Sequence, residues 1–146
     1  MPIEIRSLAS GEEALLINAA PDVFDNRVDP AFAREFLADP RHHIVAALDN
    51  GRIVGFASAV NYLHPDKAPE LWINEVGVAP PWQRRGIGRR LMEAILAVGA
   101  ARGCREAWVL TENGNRAARG LYAAAGGSES PDGPMLITFA TGDDGG

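Results

Sequence analysis

The chain is poor in the residues that most often announce chemistry: among 146 residues there are one cysteine, three histidines and one lysine. A lone thiol, Cys104, excludes an intrachain disulfide and fits a reducing compartment. It lies between Gly103 and Arg105 with nothing to mark it as a nucleophile, so it reads as a small buried hydrophobe. The scattered histidines leave no metal-ligand spacing, so no metal is expected. Lys67 is the only lysine, there is no Gly-x-x-x-x-Gly-Lys-Ser/Thr run, and no acidic cluster stands near the glycines to hold magnesium. A nucleotide-hydrolysing enzyme is therefore disfavoured. No apolar run approaches a membrane span, and the first residues lack a charged-then-apolar leader, so the expectation is a cytoplasmic protein without membrane partners.

What is present is ordinary in amount and unusual in placement. Hydrophobic residues make up 47% and charged residues 23%, enough for one globular domain spanning residues 1–146, with 142–146 reading as a frayed tail. The formal net charge is −5, yet Arg84, Arg85, Arg89 and Arg90 crowd one short stretch. Setting those four aside leaves 10 basic against 19 acidic residues, and no Lys or Arg follows Arg119. One basic spot on an acidic body argues against nucleic acid, which needs a basic face. It suits an anionic cofactor with a cationic second substrate; general acidity for solubility is the plainer explanation of the rest.

Along the chain, residues 3–8 read as a strand, and Ser10 with Glu13 as a capping box for a helix through Ala14-Leu15-Leu16-Ile17. Asp29 caps a second helix that begins at Pro30 and runs to Leu37. Residues 43–48 and 53–60 are apolar strands flanking Asp49-Asn50-Gly51, a hairpin signal. A loop over 61–70 leads to a strand over 71–78, broken by Pro80-Pro81. Ile87, Leu91, Ile95 and Val98 recur at helical spacing up to Gly103. A strand over 106–110, a helix over 115–125 and a final strand over Met135 to Thr141 complete the order. Antiparallel pairing in the first half and alternation in the second imply a mixed α+β sheet with one parallel pair. Trp72, Trp82 and Trp108 read as core or rim packing.

Gln83-Arg84-Arg85-Gly86-Ile87-Gly88 falls where a strand gives way to a helix. Helix N-termini carry unpaired N–H groups and partial positive charge, so Asp or Glu usually occupies them. Here the first turn is cationic and glycine-rich, which makes sense if the negative charge arrives with a phosphate or pyrophosphate. A carboxylate, Glu75, sits within the apolar strand Leu71-Trp72-Ile73-Asn74-Glu75-Val76, where an unpaired buried charge is costly. It can act as a base through a water or bind a cationic amine; an edge glutamate facing solvent or an arginine is the structural alternative.

These elements resemble the GCN5-related N-acetyltransferase (GNAT) superfamily over nearly the whole chain. Val76-Gly77-Val78 followed by Gln83-x-x-Gly86-x-Gly88 is similar to its acetyl-CoA signature, and Asn115, seven residues before Tyr122, to its second cofactor helix. Gly126-Gly127 stands where that family usually has Gly-Phe. The resemblance implies a central mixed sheet with a splayed parallel pair, flanked by four helices, and direct acetyl transfer from acetyl-CoA to an amine. It implies that Val76, Gly77 and Val78 pair with the pantetheine arm, and that Gln83, Arg84, Arg85, Gly86, Ile87, Gly88 and Arg89 hold the pyrophosphate. Asn115 and Ala118 would contact the cofactor too, Glu75 would take up the proton, and Tyr122 would sit near the sulfur and protonate the leaving thiolate. A tyrosine that merely packs its ring is the alternative for Tyr122.

Within that family the hairpin over 45–55, the loop over 62–70 and Ile73-x-Glu75-Val76-x-Val78 resemble the aminoglycoside 3-N-acetyltransferases, which usually have Asp at the position of Glu75. That resemblance implies a cationic aminoglycoside as acceptor, a role in antibiotic resistance, a homodimer, and Glu112, Asp143 and Asp144 as further substrate-binding acids. Protein N-termini, polyamines and other small amines remain open as acceptors, since fold does not fix substrate. A non-catalytic acetyl-CoA sensor is the reading from another class; it would need neither Glu75 nor Tyr122.

Overall fold

The computed structural model describes residues 2–142. Five strands form one sheet in chain order: β1 (Glu4–Ser7), β2 (His42–Asp49), β3 (Arg52–Tyr62), β4 (Glu70–Val78) and β5 (Ala107–Val109). The first four pair antiparallel, and β4 pairs parallel with β5. Helices α1 (Glu13–Ile17) and α2 (Pro30–Ala38) precede β2, α3 (Ile87–Ala101) links β4 to β5, and α4 (Arg116–Ala124) follows β5.

Local chemistry explains most of these bounds. Asp29 caps α2, its Oδ1 accepting from the Ala31 and Phe32 amides at 2.8 and 3.2 Å, with Pro30 in the first turn. The β2–β3 hairpin turns through Asn50 and Gly51 at φ 51° and 78°, the left-handed pair that a two-residue hairpin loop requires.

The two faces of the sheet are covered differently. Gly55 faces Leu91 of α3, whereas its neighbour Phe56 meets Phe24 on the opposite face, ring centroids 4.5 Å apart. The α3 face is a close-packed layer of Leu71, Ile73, Ile87, Leu91 and Ile95. A Cβ on Gly99 would lie 2.8 Å from Leu71 Cδ2, so glycine sets the approach of α3 to β4. The three tryptophans pack as read from the sequence. Trp82 donates to Asp49, Trp108 donates to Tyr62, and Trp72 stacks on Trp108 at 5.1 Å.

Three expectations are corrected. The capping box is not Ser10 with Glu13: α1 starts two residues after Gly11, which turns at φ 95°, and Glu12 does the tethering. Its carboxylate accepts from the Ala9 amide at 2.8 Å and from Arg6 at 3.0 and 2.8 Å, so the ion pair to β1 decides where the helix begins. The loop over 61–70 is shorter at both ends, because Tyr62 pairs with Glu70 across the ladder and donates to its carboxylate at 3.0 Å. Last, Met135 to Thr141 forms no strand. Met135, Leu136, Ile137 and Phe139 are 66–83% exposed. Strand-forming residues need a ladder partner, and no described strand pairs with them.

Candidate functional site

The functional geometry begins with one extra residue in β4. Ser58 pairs with Glu75 and Ala59 with Ile73, so Asn74 is a β-bulge. On the other edge the β4–β5 ladder ends at Ile73 paired with Val109. Beyond the bulge, Val76, Gly77 and Val78 pair with Ala57, Phe56 and Gly55 but face no strand on the β5 side. The result is a wedge whose β4 wall presents unpaired backbone groups, a natural seat for an extended ligand that adds like a strand.

The cationic turn closes one end of this wedge. Arg84 and Gly86 both adopt left-handed φ, 63° and 76°, which folds the backbone over before α3 starts. The first α3 bond runs from the Arg90 amide to the Gly86 carbonyl, and no side chain caps the helix. Its leading amides are thus free for an anion. The four arginines divide into two kinds. Arg84 and Arg85 are exposed and form no ion pair among the described residues, while Arg89 lies 3.4 Å from Glu93 and Arg90 donates to the Ile3 carbonyl at 2.9 Å. Gln83 braces the turn by donating to the Val78 carbonyl at 2.8 Å. Gly88 has a different duty, since a Cβ there would meet Leu121 of α4 at 3.3 Å.

That contact seats α4 beside the turn. Asn115 caps α4 with Oδ1, which accepts from the Ala118 amide at 3.0 Å, so both residues serve the helix start and the Asn115 amide group stays free to donate. Tyr122 is half-buried, and burial pushes its phenol pKa up, so the hydroxyl keeps its proton through neutral pH. Directly behind it α4 stops: the Gly127 amide bonds the Tyr122 carbonyl and the Gly126 amide bonds that of Ala123, with Gly126 at φ 96°.

Glu75 faces the other side of β4. It lines a cavity of about 230 Å³ with Leu16, Phe24, Val28, Phe32, Ala33, Phe36, Ile44 and Phe56, the remaining polar groups being Asp29 and Ser58. Glu75 is exposed and makes no hydrogen bond or ion pair among the described residues, so of the structural alternatives the arginine-paired one does not hold there and the solvent-facing one matches its exposure. Of the other expected acids only Glu112 is among the described residues. Glu112 lies between β5 and α4, its carbonyl bonded by the Asn115 amide, and it does not line the cavity. Asp143 and Asp144 lie outside the described residues. Sequence reasoning missed the phenylalanines, although Val28, Phe32 and Phe36 recur at four-residue spacing and were legible as one stripe. Among the described residues there is no metal-holding cluster of His, Cys, Asp and Glu, and no helix long and apolar enough to cross a membrane.

A bulged central strand, an open parallel wedge and an uncapped cationic helix start are what an acyl-CoA would need. Comparison with known proteins points the same way. The family model described as the acetyltransferase (GNAT) family matches residues 13–126. The N-alpha-acetyltransferase RimI of Mycobacterium tuberculosis is 33% identical over 127 residues, which is 86% of this chain and 78% of that protein. Among solved structures, an aminoglycoside acetyltransferase from an uncultured soil metagenomic sample, in complex with sisomicin, superposes with a TM-score of 0.81 at 19% identity, covering 97% of each chain. An aminoglycoside N-acetyltransferase in complex with CoA gives 0.77 at 22% identity, covering 96% of this chain and 95% of that one. These two likenesses speak for the fold, and the family model and the sequence relative go further: the chain belongs to the GNAT family of acetyltransferases.

Proposed function

We propose that the chain transfers the acetyl group of acetyl-CoA directly to a primary amine presented at Glu75. The observation that carries this reading is the Asn74 bulge, which sets an uncommitted carboxylate on the cavity side of the same strand whose edge opens onto the wedge. Acetyl-CoA supplies an activated thioester. Val76 and Val78 hold its pantetheine arm through their backbone, Asn115 contributes its side-chain amide, and the Gly86–Arg89 amides with Arg84 and Arg85 take the pyrophosphate. Glu75, directly or through a water, accepts the proton that the attacking amine loses. Tyr122, a neutral phenol whose pKa burial pushes further up, donates its proton to the thiolate as the carbon–sulfur bond breaks.

A second reading concerns the acceptor. Aminoglycosides are favoured by the subgroup resemblance of the β2–β3 hairpin and by solved neighbours that are aminoglycoside acetyltransferases, and the 3-N position rests on the subgroup resemblance alone. Peptide N-termini are favoured by the relative named an N-alpha-acetyltransferase. Thiol release from acetyl-CoA, measured over a panel of aminoglycosides, polyamines and peptides with mass analysis of the products, tests the reading. One acetyl group should be added to an amine. Tyr122→Phe should lower kcat by roughly tenfold or more while leaving acetyl-CoA affinity intact; an unchanged kcat would remove Tyr122 from the proton path.

A further inference from the structure

The cavity at Glu75 is apolar almost throughout, and its few polar groups are not equally available. Asp29 caps α2 with Oδ1, which accepts from two backbone amides, and its Oδ2 has no hydrogen-bond partner among the described residues. Ser58 is 9% exposed and stands opposite Glu75 in the β3–β4 register. Glu75 is therefore the carboxylate of this lining with both oxygens unengaged, the natural seat for an ammonium centre. Around it stand Phe24, Phe32, Phe36 and Phe56, from α2, β3 and the segment between α1 and α2. An ammonium or hydroxyl placed directly over these rings would find no hydrogen-bond partner in them, which is unfavourable, whereas an apolar group there is covered. Size argues likewise. Pockets for drug-sized ligands hold roughly 300–1,000 Å³, and an apolar cavity of about 150 Å³ suffices for benzene. The space is about 230 Å³ and opens to solvent at Glu75 and Phe32, so its apolar floor accommodates one aromatic or branched aliphatic group while the remainder of an acceptor stays outside. Phe32, 71% exposed on α2, lines the same cavity, an apolar group left in water beside a site that can cover it.

We infer that the acceptor is a primary amine bearing a single apolar group close to the nitrogen, the amine at Glu75 and Ser58 and the apolar group among the four phenylalanines. The inference rests on the acetyl-transfer reading and narrows it. Two sources share this chemistry, a free arylalkylamine and a peptide whose first residue is apolar.

The test measures kcat/KM by thiol release for phenethylamine and for a short peptide beginning with leucine, against spermidine and sisomicin, with acetyl-CoA binding followed by calorimetry. At least one apolar amine should exceed both polycations by roughly tenfold or more, and whichever of the two is faster identifies the source. Phe32→Ser, at a position too exposed to threaten folding, should raise KM for that amine by roughly tenfold with acetyl-CoA affinity unchanged. Polycations turned over equally well or faster, or a Phe32→Ser variant with unaltered KM, would overturn the apolar acceptor and leave acetyl transfer standing. No thiol release with any amine, while acetyl-CoA still binds, would overturn both.

Discussion

The C-terminal end of β4, beside the α3 turn, presents mainly backbone, whereas its middle, at Glu75, faces a cavity whose four phenylalanines come from three separate segments. At the first place a β-bulge, two left-handed residues and an uncapped helix offer amides and carbonyls that any neighbouring side chain would leave in position. At the second, identity resides in Phe24, Phe32, Phe36 and Phe56. On the proposed reading, a ligand common to many relatives would be held by groups common to all residues, and the variable partner by groups that substitution can change. Side-chain replacements should separate the two ends cleanly.

The largest effect is expected at Glu75. Glu75→Gln keeps the shape and removes the proton acceptor, so kcat should fall by roughly 10²-fold or more with little change in acetyl-CoA affinity. Steady-state kinetics beside calorimetric titration of acetyl-CoA would show this, and a normal kcat would reduce Glu75 to a bystander.

A smaller effect should split the arginines. Arg84→Ala with Arg85→Ala should weaken acetyl-CoA binding by roughly tenfold at low salt and less at high salt, because exposed charges are screened. Arg90→Ala should leave that affinity alone and lower thermal stability slightly, since Arg90 ties α3 to the Ile3 carbonyl. Equal losses of affinity for all three would mean that the division seen in the structure does not matter for binding.

The smallest effect lies away from both ends. The Arg6 guanidinium, and after it the Ala9 amide, hold the Glu12 carboxyl below its ordinary pKa. Glu12 therefore adds stability that is complete above its unfolded pKa and is lost as pH falls through the lower native value. Glu12→Gln should cost about 1 kcal/mol at neutral pH and flatten the acid limb of a denaturation series, with acetyl-transfer kinetics unaltered. An acid limb identical to the parent's would dismiss the tether.

How much of this was legible beforehand follows the range of the interactions. Asn50-Gly51, Asp29-Pro30 and Gly103 act on their immediate neighbours, and each is found ending or starting the element expected of it. The Gly86 and Gly88 pair was legible as a motif, but its two roles were not: one glycine satisfies a left-handed φ and the other admits Leu121. Glu12 outcompeted Ser10 because Arg6 lies across a turn, beyond any local cap rule. Residues 135–141 carry a strand's apolar, β-forming composition without a strand's partner. Glu112 was assigned to the acceptor by its place in the chain, and the fold puts it outside the cavity.

By itself the sequence determined the element order from β1 to α4, the cationic helix start and the family, because short-range steric, capping and charge rules are written in consecutive residues. Only the tertiary structure decided that Asn74 bulges, that β4 and β5 part after Ile73, and that one free carboxylate faces four phenylalanines. Register and cavity walls are properties of segments brought together across the sheet, and no single stretch of chain contains them.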